Sequence, residues 1–154
     1  SLPMTPEERK RRRDDDDDKK EDPRAFAFDA SVSLESLRLA QADFATARDW
    51  DQFHTPRNVL LAMVGEVGEL SELFQWRGDD ECSVGLPQWS EHDKTHLGEE
   101  MADVLLYLVR LADQCSVDLP TAARRKLEKN KQKYPPELCK GSAAKYTEYQ
   151  TKNE

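Results

Sequence analysis

Val59-Leu60-Leu61-Ala62-Met63-Val64-Gly65-Glu66-Val67-Gly68-Glu69-Leu70-Ser71-Glu72-Leu73 decides how this chain folds. Advancing about 100° per residue from Glu66, the side chains of Val59, Ala62, Met63, Leu70 and Leu73 fall within about 60° on either side. The stretch is therefore an amphipathic helix whose apolar stripe has a glutamate at its centre. Glu69 is three residues on and shares that face. A second stretch repeats the design: around Glu100-Met101-Ala102-Asp103, the residues Leu97, Val104, Tyr107 and Leu111 surround Glu100, and Asp103 lies one step round. Two helices thus turn four carboxylates toward each other.

Working outward, the chain predicts an all-α fold. It has 17 Leu, 14 Ala, eight Val and no Ile, a composition that favours helices over strands. The first helix spans about 33–47 with Ser33 as N-cap. The second opens on Thr55 and Pro56 and reaches about Trp76. The third is capped by Ser90, with Asp93 three residues on, and runs to about Cys115. The fourth starts near Pro120 and stops at Tyr134, before Pro135-Pro136. Residues 77–89 read as a surface loop. A four-helix bundle over 25–136, completed by oligomerisation, is the expected architecture. An extended tail is expected over 137–154. Residues 1–24 hold eight basic and nine acidic side chains in blocks of like charge, and read as a disordered tail.

Beyond residue 24 the chain carries 15 basic against 22 acidic side chains, which argues against a nucleic-acid grip. The longest apolar runs are six residues each, Val59 to Val64 and Val104 to Val109, far below the ~20 a bilayer requires. No membrane partner is expected. Three widely spaced cysteines, Cys82, Cys115 and Cys139, suggest a reduced compartment, and a cytoplasmic location is expected. The run Arg9 to Arg13 leaves the nucleus as the alternative.

Inward carboxylates at one place repel each other and need protons, basic partners or cations. No Lys or Arg shares either stripe. An all-oxygen donor set suits Mg²⁺, with Mn²⁺ as the substitute. A single ExxE would read as a solvated face; two pairs centred on apolar stripes do not. Di-iron bundles use Glu-x-x-His, which neither pair supplies, and His92 and His96 read as surface histidines. On the fourth helix Lys126, Asn130 and Lys133 share a face beside Tyr134 and offer donors to phosphate oxygens. Trp50 and Trp76 bracket the second helix as candidate walls for a planar base. Phe44, Phe53 and Phe74 are assigned to packing.

These motifs occur in a characteristic order: Asp49-Trp50-Asp51-Gln52-Phe53-His54, then Gly65-Glu66-Val67-Gly68-Glu69, Glu99-Glu100-x-x-Asp103-Val104-Leu105-x-Tyr107, and Lys126-x-x-x-Asn130-x-x-x-Tyr134-Pro135. Over residues 25–149 the chain resembles the MazG-like all-α nucleoside triphosphate pyrophosphohydrolases. The resemblance implies Mg²⁺-dependent hydrolysis of dCTP, 5-modified forms included, to the monophosphate and pyrophosphate by a homotetramer. It also implies Glu66, Glu69, Glu100 and Asp103 as metal ligands. Lys126, Asn130, Lys133 and Tyr134 would lie near the phosphates, and Gln41, Trp50, Trp76 and Tyr107 would meet the nucleotide. Gln41 stands where similar enzymes place a histidine. In-line attack of water on the α-phosphorus is expected, with Glu69 accepting its proton. A broader or dUTP-directed pyrophosphohydrolase and a non-catalytic helical scaffold are the alternatives.

Overall fold

A computed structural model describes residues 26–141. They belong to two units, 26–32 and 33–141. In the first, the Asp29 carboxylate accepts from the Ser31 amide (2.8 Å) and hydroxyl (2.6 Å), closing a turn. The second unit begins at Ser33. The charged tail expected over 1–24 lies outside the described residues.

Each helix of the second unit starts where a side chain can take up its free amides. Helix α1 is Leu34–Thr46; Ser33 accepts from the Ser36 amide, and the Ser36 hydroxyl accepts from the Ser33 amide, closing a capping box. Helix α2, Pro56–Gln75, is capped by Thr55, and its proline sits where no amide is needed. Helix α3, Glu91–Gln114, begins with a capping box of Ser90 and Asp93. Helix α4, Leu119–Lys133, is capped by Asp118. The single turn α5, Pro136–Cys139, reaches from residue 137 into the tail expected to be extended; Pro136 at its first position, and the Leu138 and Cys139 amides donating to the Pro135 carbonyl, make it helical. No strand occurs among the described residues, so the fold is all-α.

Helix α2 packs along α3, and α1 packs on α3. The buried apolar residues are few: Ala45, Val59, Trp89 and Val109. Leu60, Leu61, Val64 and Val67 of α2, and Met101, Leu105 and Leu108 of α3, remain exposed, and no residue of α4 is buried. Phe44 and Phe53, expected in the packing, are exposed as well, whereas Phe74 packs on Trp89. None of the described helices is long and apolar enough to cross a membrane.

Between α1 and α2 the chain reverses sharply. Asp49 takes a left-handed conformation (φ 55°), and the Ala45 carbonyl accepts from both the Arg48 and the Trp50 amides (3.1 and 3.0 Å). A 3₁₀ turn, Asp51–Phe53, follows. It brings Trp50 and His54 to the side of α1 and α3.

Candidate active site

Glu66 on α2 and Glu100 and Asp103 on α3 can each offer an oxygen such that these oxygens all lie within 4.8 Å of one another. The cluster is held by the α2–α3 contact, the most extensive among the described helices. Burial first, then the charges of Glu69, Asp103 and Glu100, push the Glu66 carboxyl up from its ordinary value. Glu100 Oε1 lies 3.2 Å from His96 Nε2, whereas its Oε2 is buried with no partner. An orphaned carboxylate oxygen among like charges is costly unless a cation occupies the site. These all-oxygen donors fit a hard divalent metal.

Glu69 is exposed, and its carboxylate lies outside that cluster; one helical turn from Glu66, it acts on the site through its charge. Glu72 is exposed too. His96, assigned to the surface by sequence, is tied to Glu100, while His92 is solvent-facing.

Asp103 also lines a second feature, a cavity of about 380 Å³ with Gln41, Trp50, His54 and Tyr107 in its walls and Leu37 and Leu106 as apolar lining. Carboxylates and pocket therefore share a residue. Trp50 is set edge-on to Phe44 (centroids 5.8 Å apart) and tilted against His54 (6.4 Å). Gln41 Oε1 is buried there without a hydrogen bond. The pocket offers a planar aromatic face and an unsatisfied amide, a combination suited to a nucleobase.

The structure does not bring Trp76 into this pocket. It caps the C-terminal end of α2, 79% exposed, ten residues and ~15 Å of helix rise beyond Glu66. Lys126, Asn130, Lys133 and Tyr134 lie on or just beyond α4 and are likewise absent from the pocket walls. Lys133 stands 5.5 Å over the Tyr134 ring. Helix α4, which carries Lys126, Asn130 and Lys133, packs little against α2 and α3.

One group escaped the sequence reading altogether. Arg110 on α3 is 3% exposed, the buried charged residue of the described chain. Its Nη2 donates to Asp51 Oδ1 (2.5 Å), its Nη1 to Asp113 Oδ2 (2.9 Å) and its Nε to His54 Nδ1 (3.1 Å). Arg38 on α1 donates to the other oxygen of Asp113 (2.8 Å), and Thr46 to the other oxygen of Asp51 (2.8 Å). This corrects the expectation that no basic residue shares the stripes: Arg110 lies two turns beyond Asp103, within ~20° of it around the helix. Its charge is spent on Asp51 and Asp113, so it leaves the acidic cluster uncompensated.

The sequence pattern of the MazG-like family matches residues 62–149. The chain belongs to the MazG-like family. It is 52% identical to the human dCTP pyrophosphatase 1 over 126 residues, covering 82% of this chain and 73% of that protein. The mouse dCTP pyrophosphatase 1 is 53% identical over 125 residues, covering 81% and 72%. The crystal structure of a pyrophosphatase from Archaeoglobus fulgidus superposes with a TM-score of 0.59 at 36% identity, covering 71% of this chain and 99% of that one. Glu66, Glu100 and Asp103 of the carboxylate cluster all fall within the residues that match the family.

Proposed function

We propose that this MazG-like chain hydrolyses dCTP, and dCTP modified at C5, to the monophosphate and pyrophosphate. The observation that carries the proposal is the shared position of Asp103, in the carboxylate cluster and in the aromatic, amide-bearing pocket at once. A nucleotide base in the pocket then places its phosphates at the carboxylates. The dCTP pyrophosphatases at over 50% identity support the choice of base.

Glu66, Glu100 and Asp103 would hold Mg²⁺, or Mn²⁺ in its place, and the ion would supply charge neutralisation for the triphosphate and acidify water beside it. The chain's own residues do the rest. Glu69, exposed beside Glu66, is placed to accept the proton of the attacking water. Trp50 stacks on the base, Gln41 hydrogen-bonds its edge, and Tyr107 closes the wall between base and metal end.

The functional unit in this proposal is a homotetramer, and its helices complete the four-helix bundle. Exposed Leu60, Leu61, Val64 and Val67 on α2, with Met101, Leu105 and Leu108 on α3, give an apolar surface of the kind covered in obligate assemblies. Trp76, Lys126, Asn130, Lys133 and Tyr134 would then meet nucleotide bound to a neighbouring copy.

One observation favours a wider preference reaching dUTP: the Gln41 amide can turn to present either a donor or an acceptor. The deciding experiment is pyrophosphate release from dCTP, 5-methyl-dCTP, dUTP, dTTP and dATP, each with Mg²⁺ and with EDTA. The expected result is Mg²⁺-dependent conversion of the cytosine nucleotides to monophosphates. Equal turnover of all five would make the chain a general pyrophosphohydrolase, and no turnover by the folded protein with Mg²⁺ would return it to a scaffold.

A further inference from the structure

We propose that Arg110 is a positioning residue for base selection, fixing His54 as an Nε2–H donor that matches the unprotonated N3 of cytosine and opposes the N3–H of uracil and thymine. The inference deepens the proposed dCTP reading and rests on it. The first support is the inventory of hydrogens. A guanidinium has donors only, so the 3.1 Å approach of Arg110 Nε to His54 Nδ1 requires a lone pair on Nδ1. In a neutral imidazole with Nδ1 accepting, the proton is on Nε2. Burial first, then the Arg110 charge, hold the His54 pKa below its usual value, with Asp51 opposing them.

The second support is immobility. Arg110 is anchored by Asp51 and Asp113 from two directions. With its amide oriented to satisfy both partners, Gln114 accepts from Arg110 Nη1 (3.1 Å) and donates to the His54 carbonyl (2.9 Å), pinning the histidine backbone to the same arginine. The imidazole can neither turn nor exchange tautomers without breaking this arrangement.

The third support is the contrast with Gln41 in the same cavity. Its Oε1 is buried and unbonded, and rotating the amide would put a donor there instead. Gln41 therefore satisfies the 4-amino group of cytosine or the 4-carbonyl of uracil equally well. His54 has no such freedom. Discrimination between the two bases belongs to the residue whose donor is fixed, because a mismatched polar pair in a desolvated pocket loses the hydrogen bond and strands both groups.

The test is kcat and KM for dCTP and dUTP in the full-length protein and in three variants. His54→Leu should lower the dCTP-to-dUTP ratio of kcat/KM by about tenfold or more, mainly through KM for dCTP. His54→Gln, whose amide nitrogen falls near the Nε2 position but is as free to turn as that of Gln41, should recover binding of both nucleotides without restoring the ratio. Arg110→Lys keeps a cation for Asp51 and Asp113 but withdraws the Nε–H from His54. It should lower the ratio while changing kcat for dCTP less than KM. A ratio unchanged in both His54→Leu and Arg110→Lys overturns the inference and leaves the dCTP reading standing. A wild-type protein that turns over neither nucleotide, or both equally, removes the dCTP reading and this inference together. Nitrogen-15 NMR of the wild-type histidines at neutral pH needs no variant: an Nε2–H tautomer for His54 is expected, and an Nδ1–H tautomer or an imidazolium overturns the inference.

Discussion

Two charged clusters meet the pocket at opposite ends of their own networks, the acidic end through Asp103 and the alternating end through His54, and they handle charge in opposite ways. At one, Glu66, Glu100 and Asp103 gather like charges, and a buried oxygen of Glu100 has no partner. At the other, Arg38, Asp113, Arg110 and Asp51 alternate in sign, each paired with the next. The acidic end is held together by helix packing against its own repulsion, so its capacity to bind is unspent. The alternating end has spent its charges on one another, and what it provides is a fixed shape. Removing a charge should therefore have opposite consequences at the two ends.

The largest effect is expected from Glu100→Gln. Relieving repulsion in the cluster should leave the metal-free melting temperature unchanged or raise it. Pyrophosphate release with Mg²⁺ should fall by about a thousandfold or more, since the metal's charge stabilisation amounts to several kcal/mol and each ~1.4 kcal/mol is tenfold. Turnover close to wild type would break the comparison at its acidic end. Arg110→Met should do the reverse to stability. It removes the cation that Asp51 and Asp113 share, but Asp51 is half exposed and keeps the Thr46 hydroxyl, and Asp113 keeps Arg38, so the loss is about 1–3 kcal/mol. Urea unfolding reads this as a lower midpoint that added Mg²⁺ does not correct, and an unchanged midpoint would show the network to be ornamental.

How much of this was legible in the sequence differs between the ends for a physical reason. The acidic pairs announce themselves through helical period, a local property, and the caps at Ser33, Thr55 and Ser90 depend only on neighbours within four residues. The alternating network joins α1, the 3₁₀ turn and α3 across as many as 75 residues. No local pattern records such partners. Arg110 was nevertheless within reach, since the angular position that hides it from Glu100 sets it in line with Asp103. Trp89 is a harder case. Read as part of a surface loop, it is buried against Phe74 at 5.0 Å and under Arg77 at 4.0 Å, with its indole N–H on the Glu81 carbonyl. Only tertiary contact selects it. The separation of Trp76 from Glu66 could have been had from helix rise alone, whereas the whereabouts of α4 relative to the carboxylates could not.

Cation binding should show the acidic end's reserve directly. At a free Mg²⁺ concentration a hundred times its dissociation constant, a site formed only in the folded state adds about 2.7 kcal/mol. Thermal melts of the wild-type protein should rise with Mg²⁺, and those of Glu100→Gln should rise much less. An equal rise in both would place the bound ion elsewhere.

The smallest effect, and the one that sets the ends against each other in a single experiment, is the pH dependence of the metal-free melting temperature. Glu66 has a folded-state pKa raised above its ordinary 4.5, chiefly by burial and then by its acidic neighbours. Its destabilisation is therefore fully present above the folded pKa and is relieved as pH falls through it. Asp51 has a folded-state pKa lowered from 3.8, by the Thr46 hydroxyl first and the Arg110 guanidinium second. Its stabilisation is present above 3.8 and is lost as pH falls through the folded value. Descending from neutral pH, stability should first rise as Glu66 gains its proton and then fall below about pH 4 as the alternating end is neutralised. In Glu66→Gln the early rise should disappear and the later fall remain. If the rise persists in that variant, the repulsion is carried by another carboxylate of the cluster, and the same scan on Asp103→Asn would locate it.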